Sequence, residues 1–397
     1  MSMAIGNLLA LASAAIAGLV NPSVNPLVNK SAKVAPAGLD VLTVGIIGDY
    51  GWTGWRPAPE SFCLDAMPQL VAANVTIPNE IIEDCGSDRA SAVNATFLQE
   101  DTAAYVGQIC AMKNCSAFIS VGDNFYDTGI DFNTAGLIRF VEAWSAMYQQ
   151  GIYQNAPWYQ CLGNHDVLPG QPGVDMQTKV APLMDSRWYF GTEQLPYYTY
   201  DLTGKDWTAT FVVLDSNCFL DSYQTNTSVY FTPYLAECHE PQNLQVQIDF
   251  LEDSFAKSKA DWKFLQLHHP YMSSATNETD LAPLISIVEK YNGVVLNGHD
   301  HCLAHYYNNN TNFVLSGAAG LPAASDCNYG VPLGPYAEYL AANSEAAASG
   351  FVTMDISAEF LNFEYYVRNM QYDGGDLYPV ANDMVPSYSF KVTKKAI

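Results

Sequence analysis

Five short segments place carboxylate, amide, phenol and imidazole groups at the ends of apolar runs. They are Gly48-Asp49-Tyr50-Gly51, Gly122-Asp123-Asn124-Phe125-Tyr126, Gly163-Asn164-His165-Asp166, His268-His269-Pro270 and Gly298-His299-Asp300-His301. Hard cations take oxygen ligands and imidazole suits divalent transition metals; this set offers both. Asp49 and Asp123 supply carboxylates, Asn164 an amide oxygen, and His268, His299 and His301 imidazoles. His299 and His301 stand at i and i+2, so in an extended strand end both would face one side. The glycine before each of Asp49, Asp123, Asn164 and His299 permits a tight turn that lets the side chain project. Alone, a Gly-Asp is a turn signal, and His268-His269 is one ligand and one bystander, or neither. All five together, in this order, imply a site for two metal ions that hydrolyses a phosphate ester. His239 and His305 stand outside any motif and read as structural or exposed.

The elements that must position these groups alternate. Strands are expected at Val41–Gly48, Ala117–Gly122, Trp158–Leu162, Thr210–Leu214, Lys263–Leu267, Val294–Asn297 and Phe313–Ser316. Helices are expected at Thr96–Met112, Thr134–Gln150, Gln242–Lys259 and Leu281–Tyr291. In the third, Leu244, Ile248, Leu251 and Phe255 recur at helical spacing; in the fourth, Leu281, Leu284, Ile285 and Val288 do. Those stripes read as core faces. The alternation argues for a layered α/β domain, with each motif at the C-terminal end of its strand, where open α/β sheets collect ligands. Period-two patterning over 350–368 reads as a closing hairpin. Residues 52–95 are too long and irregular for an ordinary loop and read as a functional or covering insertion.

The series Gly-Asp-x-Gly, Gly-Asp-x-x-Tyr, Gly-Asn-His-Asp, His-x-Pro and Gly-His-x-His is similar to that of the purple acid phosphatases within the metallophosphoesterases. The wording Gly-Asp-Asn-Phe-Tyr-Asp-Thr-Gly and Gly-His-Asp-His resembles the small, animal-type tartrate-resistant class. The resemblance covers nearly all of residues 41–393. It implies a metallophosphoesterase four-layer sandwich, two mixed β-sheets flanked by helices, in a single calcineurin-like catalytic domain at 40–393. It also implies seven ligands. Asp49, Asp123, Tyr126 and His301 would hold Fe(III); Asp123, Asn164, His268 and His299 would hold a divalent Fe, Zn or Mn, with Asp123 bridging. Tyr126 would be the phenolate whose charge transfer to iron colours the family purple.

The implied reaction is hydrolysis of phosphomonoesters by a metal-bound hydroxide, releasing inorganic phosphate, with His165 contacting the phosphate or protonating the leaving oxygen. Asp166 and Asp300 read as carboxylates orienting imidazoles. One position departs from the resemblance: where the small class has a further histidine, nine residues beyond His268, this chain has Asn277. Two other readings stand beside this one. The first is a metallophosphodiesterase on the same scaffold, against which Tyr126 argues; the second is a catalytically weak scaffold or binding protein, against which all seven ligands argue.

The 397 residues are 49% apolar and only 15% charged, with a net charge of −24. Such a chain repels nucleic acid and anionic membranes at long range, and an anionic ester needs a local positive centre. Leu8–Val20 is an apolar run of 13 residues with small residues at Ala12, Ala14, Ala15 and Ala17. It reads as a signal peptide over about 1–17, followed by a flexible leader at 18–39. Thirteen residues are too few to span a bilayer comfortably, so no stable membrane insertion is expected after cleavage. Sequons at Asn29, Asn74, Asn94, Asn114, Asn226, Asn277 and Asn309, with nine cysteines, fit a secreted protein or a lysosome- or vacuole-like compartment. Cys63/Cys85, Cys110/Cys115 and Cys218/Cys238 are plausible bridges, while Cys161 reads as a buried free thiol.

Overall fold

The structure, a computed structural model, describes residues 38–51, 98–126, 128–225, 227–273, 278–320, 335–341, 348–373, 376–379 and 384–394. The signal peptide, the leader, the 52–95 insertion, Cys63 and Cys85, and the sequons at Asn29, Asn74, Asn94, Asn226 and Asn277 lie outside the described residues, save the leader's last two.

Val41–Ile47 is a near-continuous apolar run, broken by Thr43 and Gly45, the signature of a strand covered on both faces. It forms β1, buried from Leu42 onward. On one side β1 pairs in parallel with β2 (Ala117–Ser120), which leads to β3 (Trp158–Tyr159) and β4 (Trp188–Tyr189), again in parallel. On the other side β1 pairs antiparallel with β12 (Ala348–Ser357), and β12 with β13 (Phe360–Asp373). The expected closing hairpin therefore inserts next to the first strand, and β14 (Asp376–Pro379) and β15 (Tyr388–Thr393) both pair with β13.

The second sheet runs β11 (Ala337–Leu340), β9 (Leu303–Asn308), β10 (Thr311–Ser316), β8 (Val294–Asn297), β7 (Trp262–Gln266), β6 (Thr208–Val213), β5 (Tyr198–Thr203). Its central four strands are parallel. The two sheets lie face to face. Buried Gln266 on β7 donates across to the carbonyls of Ser120 (2.7 Å) and Tyr159 (3.0 Å). Tyr159 on β3 stacks on Tyr200 of β5 at 3.8 Å, and Trp262 Nε1 donates to Ser357 O at 2.7 Å.

Helices cover the outer faces. Helix α1 (Leu98–Lys113) packs on β1 and β12 through Tyr105, whose ring meets Phe351 at 5.9 Å. Its last residue, Lys113, pairs with Asp355 (3.3 Å) and Glu364 (2.5 Å). This cover explains why the hairpin's period-two pattern does not produce alternate burial: Phe351 to Met354 are buried on both faces. On the second sheet, α3 (Pro241–Lys257) buries Leu251 and Phe255, and α4 (Ala282–Lys290) buries Leu284, Ile285 and Val288. Those stripes are core faces, as their spacing implies. The fold is thus two mixed β-sheets flanked by helices.

The expected helix over 134–150 is interrupted. Helix α2 (Thr134–Phe140) gives way to a wide π-turn at Val141–Ser145, closed by Ala146 N to Val141 O at 2.7 Å. The wide turn carries Trp144, whose buried ring contacts Phe140, Trp158 and Trp188 and lies under the Arg187 guanidinium at 4.9 Å. The third expected strand is also short: the ladder ends at Tyr159, and the following residues leave it to reach the site. Cys110–Cys115 and Cys218–Cys238 are disulfides, Cys302 is also disulfide-bonded, and Cys161 is a buried free thiol.

Candidate active site

The C-terminal ends of the parallel strands of both sheets converge on one point. Asp49 follows β1, Asp123 follows β2 and Asn164 lies past β3; His268 follows β7, and His299 and His301 follow β8. Three of these residues, Asp49 (φ 55°), Asp123 (φ 50°) and His299 (φ 74°), have left-handed backbones. Such conformations in non-glycine residues cost about 1–3 kcal/mol each and persist where the surroundings over-determine them. Backbone bonds do so here: Asp49 N donates to Gly122 O (2.9 Å), Gly298 N to His268 O (2.9 Å), and His299 N to Asp49 Oδ2 (3.0 Å). The motif glycines are needed for close approach. A Cβ at Gly298 would stand 2.4 Å from Asp49 Oδ2.

All seven donors come together, in two groups. In the first, the Tyr126 phenol oxygen lies 3.0 Å from Asp49 Oδ1, 2.8 Å from Asp123 Oδ2 and 2.9 Å from His301 Nε2. In the second, Asn164 Oδ1 lies 2.9 Å from His268 Nε2 and 2.9 Å from His299 Nδ1. Asp123 touches both, since His268 Nε2 is 3.5 Å from its Oδ2. His299 and His301 therefore do not act from one side, as an extended i, i+2 pair would. The left-handed turn at His299 sends one ring to each group.

The donor set is short of positive charge. A phenol has one proton, yet Tyr126 meets two carboxylates. Burial pushes the Asp49 carboxyl well above its usual range. His268 turns Nδ1 to the Val121 carbonyl (2.8 Å), leaving Nε2 to face Asn164. Burial alone would lower its pKa, but Asp123 and Asp49 outweigh it and push His268 up to about 9, so a proton is drawn into the group. Burial and the neighbouring His268 hold His299 down at about 3. Buried carboxylates, amide oxygen and imidazoles converging in this way are a donor set that cations fit.

His269 is close to the second group, but both its ring nitrogens are engaged: Nδ1 with Ser216 Oγ (2.8 Å) and Nε2 with Tyr223 Oη (2.9 Å). The cluster of His268, His269 and His299 thus includes one ring already held by Ser216 and Tyr223. His165 is half-buried, its backbone N–H on Asp123 Oδ1 (3.0 Å) and its ring 4.4 Å from that of Tyr126.

The expectation for Asp166 is corrected. Its buried carboxylate accepts from the backbone N–H groups of Asn124, Phe125 and Gly163 and from the side chains of Asn124 and Gln177. It therefore ties the second motif to the third rather than orienting an imidazole. Asp300 accepts from Ser273 Oγ. His239 and His305 are structural, the latter stacked on Phe390 at 3.6 Å. Asn114 and Asn309 lie in exposed left-handed turns. Sequence reasoning missed Asn124, a buried amide bonded to Asp166, Gln177 and the Cys161 carbonyl. It also missed Tyr223 and Tyr230, which no motif marks.

The calcineurin-like phosphoesterase family model matches residues 42–303. Purple acid phosphatase 17 of Arabidopsis thaliana is 30% identical over 59% of this chain and 67% of its own length. Tartrate-resistant acid phosphatase type 5 of Oryctolagus cuniculus is 26% identical over 66% of this chain and 79% of its own. The chain spans 59% and 63% of the length of the Arabidopsis purple acid phosphatases 4 and 3. Among solved structures, the anchor in the inner membrane complex of Plasmodium (GAP50) shares the fold. Its TM-score is 0.57 at 14% identity, over 85% of this chain and 91% of that one. The match runs from the first strand to the last of the metal-type motifs, and the chain belongs to the calcineurin-like phosphoesterase family.

Proposed function

We propose that this chain is a purple acid phosphatase that hydrolyses phosphomonoesters at a dinuclear Fe(III)–M(II) centre. The observation that carries the reading is the pair of donor groups joined by Asp123. Asp49, Asp123, Tyr126 and His301 would hold the ferric ion, the phenol being a hard donor suited to it; Asp123, Asn164, His268 and His299 would hold a divalent Fe, Zn or Mn. When bound, the two cations supply the charge that polarises phosphoryl oxygens and activates water.

The chain's own residues then have separate tasks. Val121 O holds the His268 ring in place through Nδ1, and Asp166 clamps the two loops that carry Asp123 and Asn164. Asp49, Asp123, Tyr126, Asn164 and His268 are almost fully buried, which keeps bulk water off the donor groups. The accessible side is made by His299, His301 and His165. His165 stands there to hydrogen-bond a phosphate oxygen or give a proton to the departing alcohol.

Secretion, or a lysosome- or vacuole-like location, belongs to the same proposal, as does a catalytic domain over 40–393. The sequons and disulfides support it, and among the described residues no helix is long and apolar enough to cross a membrane. Turnover of 4-nitrophenyl phosphate against bis(4-nitrophenyl) phosphate on metal-loaded protein tests the reading. The monoester is expected to be the better substrate at acid pH; preference for the diester would favour the phosphodiesterase alternative.

A further inference from the structure

The segment from Ser228 to Thr232 lies beside the site and belongs to none of the five motifs. Tyr230 is half-buried, and its ring meets that of His165 edge-on, centroids 5.9 Å apart at 78°. On either side of it, Val229 is 79% exposed and Phe231 37%. Two exposed apolar side chains thus flank a half-buried tyrosine ring at the edge of a polar centre, on a chain of charge −24.

This edge is rigidly backed. Tyr223 packs behind Tyr230 with ring centroids 4.7 Å apart. The Tyr223 hydroxyl is fixed on His269 Nε2 (2.9 Å), and His269 in turn on Ser216 Oγ (2.8 Å). The loop itself is closed by Ser228 N to Thr225 O (2.9 Å) and Phe231 N to Ser228 O (3.2 Å). Thr232 Oγ1 accepts from Leu235 N and caps the helix that follows. A ring held this firmly, as that of Tyr230 is, loses little freedom on meeting a ligand, which makes its face effective in recognition.

We propose that this segment receives the alcohol part of the ester, with Tyr230 as the specificity-determining residue, and that the site selects phosphomonoesters of bulky apolar alcohols. The inference rests on the phosphoesterase reading. With the phosphoryl group among the donor groups, the corner between His165 and Tyr230 is the exit towards solvent. An aromatic or aliphatic group passing there is covered by the Tyr230 face and Val229. Selection is by buried apolar area, independent of how good a leaving group the alcohol is.

Phosphonates, which are not cleaved, test this by binding alone. Methylphosphonate, hexylphosphonate and phenylphosphonate are titrated calorimetrically into metal-loaded wild type, Tyr230→Ala and Val229→Ser. In wild type the two bulky phosphonates are expected to bind roughly three- to tenfold tighter than methylphosphonate, the range of one aromatic contact. Tyr230→Ala should bring that ratio close to one while leaving methylphosphonate within about twofold, and Val229→Ser should reduce it less. Equal affinity for all three in wild type, or a ratio unchanged in both variants, would overturn the inference while leaving the phosphoesterase reading intact. Failure of every phosphonate to bind would remove that reading and the inference with it.

Discussion

Gly163 closes on Asp123 so tightly that a Cβ at its position would stand 2.1 Å from Asp123 Oδ1. The carboxylate that joins the two donor groups therefore owes its place to the absence of a side chain. Gly163→Ala is expected to push Asp123 aside and weaken metal retention by about 10- to 100-fold, as loss of a supporting contact does. Competition against a chelator measures this, with near-UV circular dichroism confirming the fold. Unchanged retention in a folded variant would show that Asp123 can shift without cost.

Tyr126 is buried against Asp49 and Asp123, and burial together with their charge pushes its phenol well above its ordinary pKa. Only a strongly charged cation would hold it as phenolate. Iron-loaded wild type is expected to show a visible charge-transfer band that Tyr126→Phe abolishes. A colourless iron-loaded wild type would contradict the assignment of Tyr126.

The half-buried position of His165, on the accessible side of the buried donor groups, makes it the candidate proton donor. His165→Ala should slow alkyl phosphates by a factor of roughly 10²–10⁴ and aryl phosphates much less, because a good leaving group needs little protonation. Equal losses for both classes would leave His165 with phosphate binding only.

Arg187 holds Asp185 through Nη2 to Oδ2 (2.5 Å) and Nε to Oδ1 (2.9 Å), while its remaining N–H groups reach the carbonyls of Ser145, Tyr148 and Tyr153. Burial opposes ionisation of Asp185, but Arg187 and Ser145 outweigh it and hold its carboxyl below the usual range. A depressed folded pKa stabilises above the unfolded value of about 3.9 and is lost as pH falls through the folded value. Asp185→Asn should therefore cost about 3 kcal/mol at pH 7, and the gap from wild type should narrow below about pH 3. Denaturant midpoints at both pH values check this; a constant gap would exclude the charge pair as its source.

The converging donor residues were legible because each belongs to a short polar motif ending an apolar run, and strand ends are where such side chains can meet. The joining of the hairpin to β1 was not legible. Val352 and Ile46 are far apart in sequence, and pairing them depends on long-range packing that no local pattern encodes. Nor could composition give the role of Asp166. A carboxylate beside His165 looks the same whether it accepts from an imidazole or from three backbone amides. The strand β5, Tyr198 to Thr203, is not among the expected strands, although its residues alternate between buried and exposed. Tyr230 carries no motif at all, and only its ring contacts with His165 and Tyr223 reveal it.

Metal stoichiometry is the most direct measurement of the joined donor groups. Purified wild type is expected to hold about two ions per chain. Asp123→Ala, which removes the shared carboxylate, should lose more metal than Asn164→Ala, which removes one neutral donor from one ion. A wild type that holds no metal, or equal residual metal in the two variants, would contradict a dinuclear centre bridged by Asp123.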